Sequence, residues 1–275
     1  MITLDDRTLR NLQLTELELL KEADRICRKN SIRYVIIAGT LLGAVRHGGF
    51  IPWDDDADIG MLREDYEKFR QACERDLDHN RFYFQDHRNT PGYRWGYGKL
   101  RRKDTLFLRE HQEHMPYEQG VFIDIFPLDQ VPENLILRTL KNIECFCVRK
   151  ILWSKVGKTA DRSAVKRAVY GFLSLVSEQS VLHYYDNMVR QAAGQDSTKV
   201  RILLFPTPNR QYMYLKKWYV ETAVTVFEGQ AFSGIASYDE YLRFKYGDYM
   251  TIPAENERKT HPVSAVRVID WTGKQ

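Results

Sequence analysis

The sequence lacks the features that mark membrane-spanning, secreted and zinc-thiolate proteins. No apolar run approaches the roughly 20 residues that a membrane-spanning helix needs. The first residues, MITLDDRTLR, contain no apolar signal core. The four cysteines, at positions 27, 73, 145 and 147, do not have the spacing of a zinc site. We therefore expect a cytoplasmic protein whose reduced thiols serve packing.

A strong excess of one charge is also missing from the chain as a whole. The 275 residues include 41 Lys or Arg and 37 Asp or Glu, which gives a formal net charge of +4. Residues 136–170 depart from this balance, with nine basic and two acidic side chains, so the rest of the chain is close to −3. Two interpretations stay open: contact of residues 136–176 with an anionic membrane surface, or a helical subdomain with a solvated basic face. No nucleic-acid-binding motif accompanies the basic residues, so nucleic acid is not an expected partner.

What the sequence does contain is an acidic run beside an apolar strand pattern. Residues 39–61 read GTLLGAVRHGGFIPWDDDADIGM and place four aspartates within five positions. Crowded carboxylates repel one another, and a divalent cation is the main reason to keep them near a buried strand. Alternation along an extended segment puts Asp54, Asp56 and Asp58 on one face. Asp56 and Asp58 therefore form a D-x-D pair that predicts a metal site.

A solvated loop and an EF-hand calcium loop are the competing interpretations of the acidic run. Ile51 and Trp53 before the run, and Met61 after it, are atypical of a solvated loop. An EF-hand loop would need Gly at the position of Ile59 and a bidentate Glu at the position of Asp65. The metal site at the end of a buried strand remains the better interpretation.

The segment before the aspartates has the pattern of a phosphate-binding turn. Residues 33–38 (RYVIIA) predict a strand, and residues 41–45 predict one or two helical turns. Gly39, between them, allows a ligand to approach the backbone, and Thr40 is expected to cap the helix and bind a phosphate oxygen. The helix N-terminus adds its preference for negative charge.

Four basic side chains are further candidates for contact with phosphate. Arg46 can bind two oxygens at once, and His47, in a loop that Gly48 and Gly49 permit, could contact phosphate or assist proton removal. Lys99 and Arg101 share one face of a predicted strand and could neutralise donor phosphates.

An aromatic set precedes these two basic residues. Tyr93, Trp95 and Tyr97 lie on one face by parity. Such rings can hold a quaternary ammonium group by cation–π attraction, at about 0.5 to 2 kcal/mol per ring. A stripe of core or edge-strand aromatics is the alternative, and both stay open.

A third candidate metal ligand lies inside a later apolar run. Asp124 is the one carboxylate in VFIDIF, residues 121–126, which is apolar on both faces. An uncompensated charge there would cost about 3 to 5 kcal/mol, so Asp124 should bind either a metal or a buried Lys or Arg. Asp129 follows Pro127 and is expected to cap a turn.

The periodicity of the remaining chain predicts the main elements. Helices are expected over residues 8–29, 64–77 and 238–244, with a helical insert over 132–200. Strands are expected near residues 33–38, 56–61, 82–86, 96–101 and 121–126.

Three of these segments together resemble the LicD family. They are residues 39–61, GVFIDIFPLD at residues 120–129, and YGDYM at residues 246–250 with His261 beyond it. That family is related to fukutin and belongs to the nucleotidyltransferase-fold superfamily. The resemblance extends over roughly residues 11–261 and is thinnest near residues 132–211.

The resemblance implies an α+β fold with a nucleotidyltransferase-like mixed sheet flanked by helices. It implies a catalytic core over residues 1–131, a mostly helical and basic insert over 132–211, and a C-terminal segment over 212–275 that completes the pocket. Asp248 and His261 would be substrate-binding residues of that last segment.

The resemblance also implies a reaction and its ligands. Gly39 and Thr40 would hold nucleotide phosphates, while Asp56, Asp58 and Asp124 would be the catalytic residues and the ligands of Mg²⁺, with Mn²⁺ as the alternative ion. Phosphocholine, or a related alcohol phosphate, would move from CDP-choline or another CDP-linked donor to a hydroxyl of a glycan or lipid-linked glycan. Such an acceptor would be a precursor of a cell-surface polysaccharide such as teichoic acid, and the protein would be cytoplasmic or peripheral on the inner face of the membrane.

Two other functions remain open at this point. A nucleotide-sugar glycosyltransferase also uses a D-x-D motif with a metal, although it would normally place that motif after a βαβ nucleotide-binding region. A non-catalytic, metal-stabilised glycan-binding protein is the second alternative.

Overall fold

A computed structural model describes residues 2–207, 209–258 and 260–273 of the chain. The helices are α1 (Asp6–Lys29), α2 (Ala38–His47), α3 (Arg63–Asp76), α4 (Leu135–Ala160), α5 (Ala164–Leu173), α6 (Glu178–Ala193), α7 (Lys217–Val220) and α8 (Tyr238–Tyr246). The strands are β1 (Val35–Ile36), β2 (Asp58–Leu62), β3 (Phe82–Gln85), β4 (Gly98–Arg102), β5 (Leu106–Arg109), β6 (Phe122–Gln130), β7 (Lys199–Arg201), β8 (Tyr214–Leu215), β9 (Thr222–Phe227), β10 (Gln230–Ile235) and β11 (Val263–Arg267). Among the described residues, none of the helices combines the length and apolar character needed to cross a membrane.

Helix α1 forms where the apolar spacing predicts it. The Asp5 carboxylate caps its N-terminus by accepting a hydrogen bond of 2.7 Å from the backbone N–H of Thr8. Leu12, Leu20 and Ile26 are buried along one side of the helix. Because these positions repeat at helical spacing, α1 packs one apolar face against the rest of the core.

The core of the molecule is a mixed sheet in the order β1-β2-β6-β4-β3, and β7 joins the end of β6 and pairs with β8. Strands β2 and β6 run parallel, whereas the other neighbours in this sheet are antiparallel. The expected mixed sheet flanked by helices is confirmed; its nucleotidyltransferase-like character stays a prediction. Strand β2 begins only at Asp58, so Asp56 lies in the loop before it, outside the strand predicted near residues 56–61.

Strand β6 is longer than the apolar run predicts, and the expectation that Asp129 caps a turn was wrong. The strand continues through Pro127 to Gln130, where Asp129 pairs with Arg201 of β7. The buried Asp129 carboxylate accepts two hydrogen bonds from Arg63, at 2.8 and 2.6 Å. This ion pair compensates the buried charge and makes the extended strand possible.

The segment expected to be a helical insert contains α4, α5 and α6. Buried residues of α4 and α6, including Val148, Leu152 and Met188, form a second hydrophobic cluster with Leu203 and Leu204. The boundaries at residues 131 and 211 stay a prediction. The sequence did not predict the hairpin of β9 and β10 or the pairing of β5 with β11, which joins the C-terminal segment to the strand that follows β4.

Gly43 of α2 gives a first testable prediction about the fold. A Cβ at this position would lie 2.4 Å from the carbonyl oxygen of Gly49 and 3.2 Å from the backbone nitrogen of Ile51. Both atoms belong to backbone that leads into the acidic run and cannot rotate away. We expect Gly43→Ala to lower the free energy of unfolding by about 1 to 3 kcal/mol, measured by urea denaturation.

Gly171 of α5 supplies the matched control. A Cβ there would meet no atom within 4 Å. Gly171→Ala should therefore stabilise the protein, by about 0.5 to 1 kcal/mol, because alanine loses less backbone freedom on folding. Equal unfolding midpoints for the two variants would contradict the close packing around Gly43.

Candidate active site

The loop between α2 and β2, which we call the acidic loop (residues 48–57), carries three neighbouring carboxylates. One oxygen from each of Asp54, Asp55 and Asp56 lies within 4.8 Å of the others. The buried Asp55 accepts a hydrogen bond of 2.9 Å from the backbone N–H of His261. The His261 ring places Nδ1 3.2 Å from Asp55 Oδ1 and Nε2 3.8 Å from Asp56 Oδ2. The late segment around His261 is thus held against the acidic loop, and the substrate-binding role of His261 stays a prediction.

Asp58, Asp124 and Lys99 lie side by side across three neighbouring strands. Asp58 of β2 is in register with Asp124 of β6, and Asp124 is in register with Lys99 of β4. The Lys99 ammonium donates to the Asp124 carboxylate, and both side chains are buried. The buried ion pair considered as an alternative for Asp124 is therefore present. The metal-binding role of Asp56, Asp58 and Asp124 stays a prediction.

Burial and mutual repulsion disfavour negative charge on these aspartates. Burial raises the pKa of Asp54 to about 8, and repulsion from Asp56 adds to the shift. Burial also raises the pKa of Asp58 well above its usual range, with repulsion from Asp56 and Asp124. Burial raises the pKa of Asp56 as well, although His261 acts in the opposite direction. Because the carboxylates are costly to ionise together, a bound cation would be strongly favoured here.

Glu16 of α1 is a further carboxylate of this cluster that the sequence reasoning missed. Its side chain is buried, and its Oε2 atom has no hydrogen-bond partner among the residues described. Burial raises the pKa of Glu16 well above its usual range, and repulsion from Asp56 and its neighbours adds to it. The signal in the sequence was a carboxylate four residues from both Leu12 and Leu20, on the apolar face of the helix.

Gly39 and Thr40 lie in the first turn of α2, next to the acidic loop. A Cβ on Gly39 would come within 2.6 Å of Asp54 Oδ2, so only glycine fits there without movement of that carboxylate. The expectation that Thr40 caps the helix was wrong, because the helix begins one turn earlier with Ile37 as its N-cap. Instead, the buried Thr40 hydroxyl accepts a hydrogen bond of 2.7 Å from the backbone N–H of Asp58. Thr40 thereby fixes the start of β2 against α2.

Arg46 and His47 lie in the last turn of α2, which corrects the prediction of a loop for His47. The helix extends that far because Gly48 adopts a left-handed C-cap conformation, with φ of 74°. The Arg46 guanidinium donates to the backbone carbonyl oxygens of Tyr249 and Thr251, at 2.7 and 3.3 Å. Arg46 thus anchors the segment after α8 on α2, a structural role that the sequence did not reveal.

The end of α8 lies near the aspartates, whereas the segment that follows it forms a turn. Asp248 is exposed and accepts a hydrogen bond of 2.7 Å from the Thr251 hydroxyl, which is the contact of a turn residue. Two residues before it, burial raises the pKa of Tyr246, and the negative charge of Asp58 and Asp54 adds to the shift. Lys245, which the sequence reasoning did not select, offsets part of the negative charge around Asp58.

The basic and aromatic side chains predicted on β4 and just before it line a small cavity, and most of them are buried. Arg101 is buried, with its guanidinium donating to Gln85 Oε1 and to the carbonyl oxygen of Gly120, at 2.7 and 2.6 Å. Tyr97 packs against the core, and the Lys99 ammonium lies 5.5 Å from its ring centroid. Together with Trp95, these residues line a cavity of about 60 Å³.

Comparison with known proteins gives a family match over part of the chain. Residues 31–143 match the family model described as LicD/FKTN/FKRP, nucleotidyltransferase domain. The chain carries a LicD-family domain. The matched residues contain α2, the acidic loop and β2 to β6, so the clustered aspartates all lie inside the family domain.

Individual relatives match different lengths of this chain. It is 27% identical to the lipopolysaccharide cholinephosphotransferase LicD of Haemophilus influenzae over 95% of this chain and 98% of that protein. An uncharacterised protein of Rickettsia prowazekii is 30% identical over 48% of each chain. The human ribitol 5-phosphate transferase FKRP is 56% identical over 34 residues, which are 12% of this chain and 7% of that protein.

Proposed function

We propose that this protein transfers phosphocholine, or a related alcohol phosphate, from a CDP-linked donor to a hydroxyl of a glycan. The observation that carries the proposal is the alignment of Asp58 and Asp124 on neighbouring strands beside the acidic loop and the N-terminus of α2. The activities of two relatives support the proposal, because one is a lipopolysaccharide cholinephosphotransferase and the other is a ribitol 5-phosphate transferase.

The donor set suits a divalent cation of the Mg²⁺ type. Carboxylate oxygens are the hard ligands that Mg²⁺ and Mn²⁺ prefer. The Oε2 atom of the buried Glu16 has no hydrogen-bond partner among the described residues, and four aspartates repel its charge. A bound cation would offset this repulsion. Asp56, Asp58 and Asp124 are the proposed ligands. When bound, the ion would neutralise donor phosphate charge and lower the pKa of the acceptor hydroxyl.

The remaining contributions come from the side chains and backbone of this protein. The first turn of α2, with Gly39 beside Asp54, offers backbone N–H groups and a positive helix end to the donor phosphates. Lys99 compensates the negative charge of Asp124 and fixes the position of its carboxylate. Asp58 or Asp124 accepts the proton of the attacking hydroxyl. The proposed products are the phosphoalcohol-substituted glycan and CMP.

Binding of donor and metal can be tested by thermal unfolding. We expect Mg²⁺ together with one CDP-alcohol, chosen from CDP-choline, CDP-ribitol and CDP-glycerol, to raise the unfolding temperature by roughly 5 °C at a hundredfold excess over Kd. The same donor with EDTA should give no shift, because the phosphates would meet uncompensated carboxylates. UDP-sugars serve as controls in the same assay.

Product analysis separates the proposed transfer from the two other functions. Release of CMP with phosphate retained on the glycan is the expected result. A sugar without phosphate on the acceptor would identify a glycosyltransferase instead. Binding of glycan without any release of CMP would identify a non-catalytic binding protein.

A further inference from the structure

The turn between β9 and β10 contacts the start of the acidic loop. The backbone N–H of Glu228 donates a hydrogen bond of 2.9 Å to the Gly48 carbonyl oxygen. The Glu228 carboxylate accepts a hydrogen bond of 3.1 Å from the backbone N–H of Phe50. The rings of Phe50 and Phe227 pack against each other, with centroids 4.7 Å apart. Glu228 therefore holds the backbone on both sides of Gly49.

The conformation of Glu228 is unusual for a glutamate. Its φ of 51° lies in the left-handed region, as does the φ of 69° at Gly229, and these two residues form the tight turn of the hairpin. Glycine and asparagine adopt this conformation with the least strain. A Cβ on Gly49 would lie 2.3 Å from Glu228 Oε1, so the loop passes directly against this carboxylate. The turn itself disfavours glutamate, which indicates that the side chain serves its contacts with the loop.

Helix α1 holds the Glu228 carboxylate and the middle of the acidic loop at the same time. Arg10 donates to both oxygens of Glu228, at 3.1 and 2.7 Å. Arg10 also donates to the side-chain oxygen of the buried Gln13, at 3.3 Å. The Gln13 amide nitrogen donates to the carbonyl oxygens of Ile51 and Asp54, at 3.4 and 3.1 Å. This hydrogen-bonded network, which we call the loop brace (Arg10, Gln13 and Glu228), thus spans the loop from its start to Asp54.

The acidic loop needs such support because its carboxylates repel one another. Oxygens of Asp54, Asp55 and Asp56 lie within 4.8 Å of one another, and their repulsion favours a looser loop when no cation is bound. The loop brace binds backbone atoms of the loop, so it restrains the loop without occupying the carboxylate oxygens. A site that is already held in its binding geometry loses less freedom on binding, and its affinity is higher for that reason.

We propose that Arg10, Gln13 and Glu228 are positioning residues that hold the acidic loop in the geometry that binds the divalent cation. They act through the backbone of the loop rather than on the reacting atoms. All three lie outside residues 31–143, the segment that the family model matches. This inference rests on the proposed transferase function, and on its metal site in particular.

Binding of Mn²⁺ to the donor-free protein tests this role without a measurement of transfer. The readout is the Kd from isothermal titration calorimetry. Glu228→Gln and Arg10→Gln should each raise this Kd by about tenfold, because each removes one side of the ion pair that fixes the loop. Circular dichroism should show that both variants remain folded at the temperature of the titration.

The opposite charges of Glu228 and Arg10 separate positioning from simple electrostatics. Loss of a negative charge near the site weakens cation binding by Coulomb's law alone, whereas loss of a positive charge strengthens it. Positioning instead predicts weaker binding in both variants. The double variant should bind Mn²⁺ about as weakly as each single variant, because the two residues act through one network. Additive effects, or binding by Arg10→Gln at least as tight as that of the wild type, would overturn the proposal.

Two further variants complete the comparison. Glu74→Gln removes a carboxylate of α3 that pairs with Arg70 at 2.9 Å and has no hydrogen bond or ion pair with the acidic loop among the described residues. This control should leave the Kd unchanged. Arg10→Lys keeps the charge without the planar pair of donors, so its Kd should lie between those of the wild type and Arg10→Gln. If the glutamine variants do not fold, a wild-type Kd for Arg10→Lys would overturn the proposal.

Kinetics distinguish failure of the positioning role from failure of the proposed reaction. With limiting Mg²⁺, Glu228→Gln should release CMP about tenfold more slowly than the wild type, and saturating Mg²⁺ should restore kcat to within about twofold. Equal Mn²⁺ binding by the wild type and both glutamine variants disproves the positioning role alone. A wild type that binds Mn²⁺ but transfers nothing disproves the transferase function alone, whereas one that binds no Mn²⁺ disproves the metal site and the positioning role together.

Discussion

Asp58→Asn is expected to abolish transfer while leaving the folded protein at least as stable as the wild type. A metal ion supplies several kcal/mol of charge stabilisation in reactions of this type, so the loss of one of its ligands should lower kcat by roughly 10³-fold or more. The fold should persist because the substitution removes a buried carboxylate that Asp56 and Asp124 repel. CMP release and thermal unfolding without metal are the two measurements.

The matched control for this prediction is Asp104→Asn. Asp104 is exposed in the turn between β4 and β5, and its φ of 61° is a conformation that asparagine also tolerates. The control should keep wild-type activity. CMP release by Asp58→Asn at a rate near that of the control would disprove the assignment of Asp58.

Lys99→Met is expected to have the largest effect on stability. The substitution leaves the buried Asp124 without its cation, and breaking a buried ion pair in this way costs about 3 to 5 kcal/mol. Because burial lowers the pKa of Lys99 to about 7, this cost applies in full below that pH, where the ammonium is charged. Urea denaturation without divalent ions would measure the loss. Because a metal bound at Asp124 would replace the missing positive charge, Mg²⁺ should restore part of the stability of this variant and change that of the wild type less.

The double variant Lys99→Met, Asp124→Asn separates the two contributions. It removes both charges, so its stability without metal should recover most of the loss seen in Lys99→Met alone. Mg²⁺ should no longer stabilise it in the same way. If Mg²⁺ stabilised the single and double variants equally, Asp124 would not be a ligand, and its pairing with Lys99 would be purely structural.

Local sequence patterns were sufficient for most of the elements around the site. The apolar spacing over residues 8–29 predicted α1, and the same reasoning placed α3, β3 and α8 close to their observed bounds. The acidic run and the isolated carboxylate at Asp124 were also recognisable, because a charged residue within an apolar run is unusual enough to require a partner. These signals depend on neighbours within a few residues along the chain.

The predictions that failed depended on contacts between distant residues. Asp129 was assigned to a turn because of Pro127, but Arg63 and the pairing with β7 extend the strand past it. Thr40 was assigned to a helix cap, although its hydroxyl binds the backbone of Asp58 instead. The pairs β5 with β11 and β9 with β10 were missed, since short strands take their stability from packing and pairing that local propensity does not encode.

The sequence by itself determined that a D-x-D motif follows a Gly-Thr pair, and that a third aspartate lies in a later buried strand. The tertiary structure decided which charges meet. It placed Glu16 and Lys245 beside the aspartates, paired Lys99 with Asp124, and held His261 on Asp55. The reason is physical: side-chain alternation and helical spacing act over a few residues, whereas desolvation and charge pairing depend on which distant elements pack together.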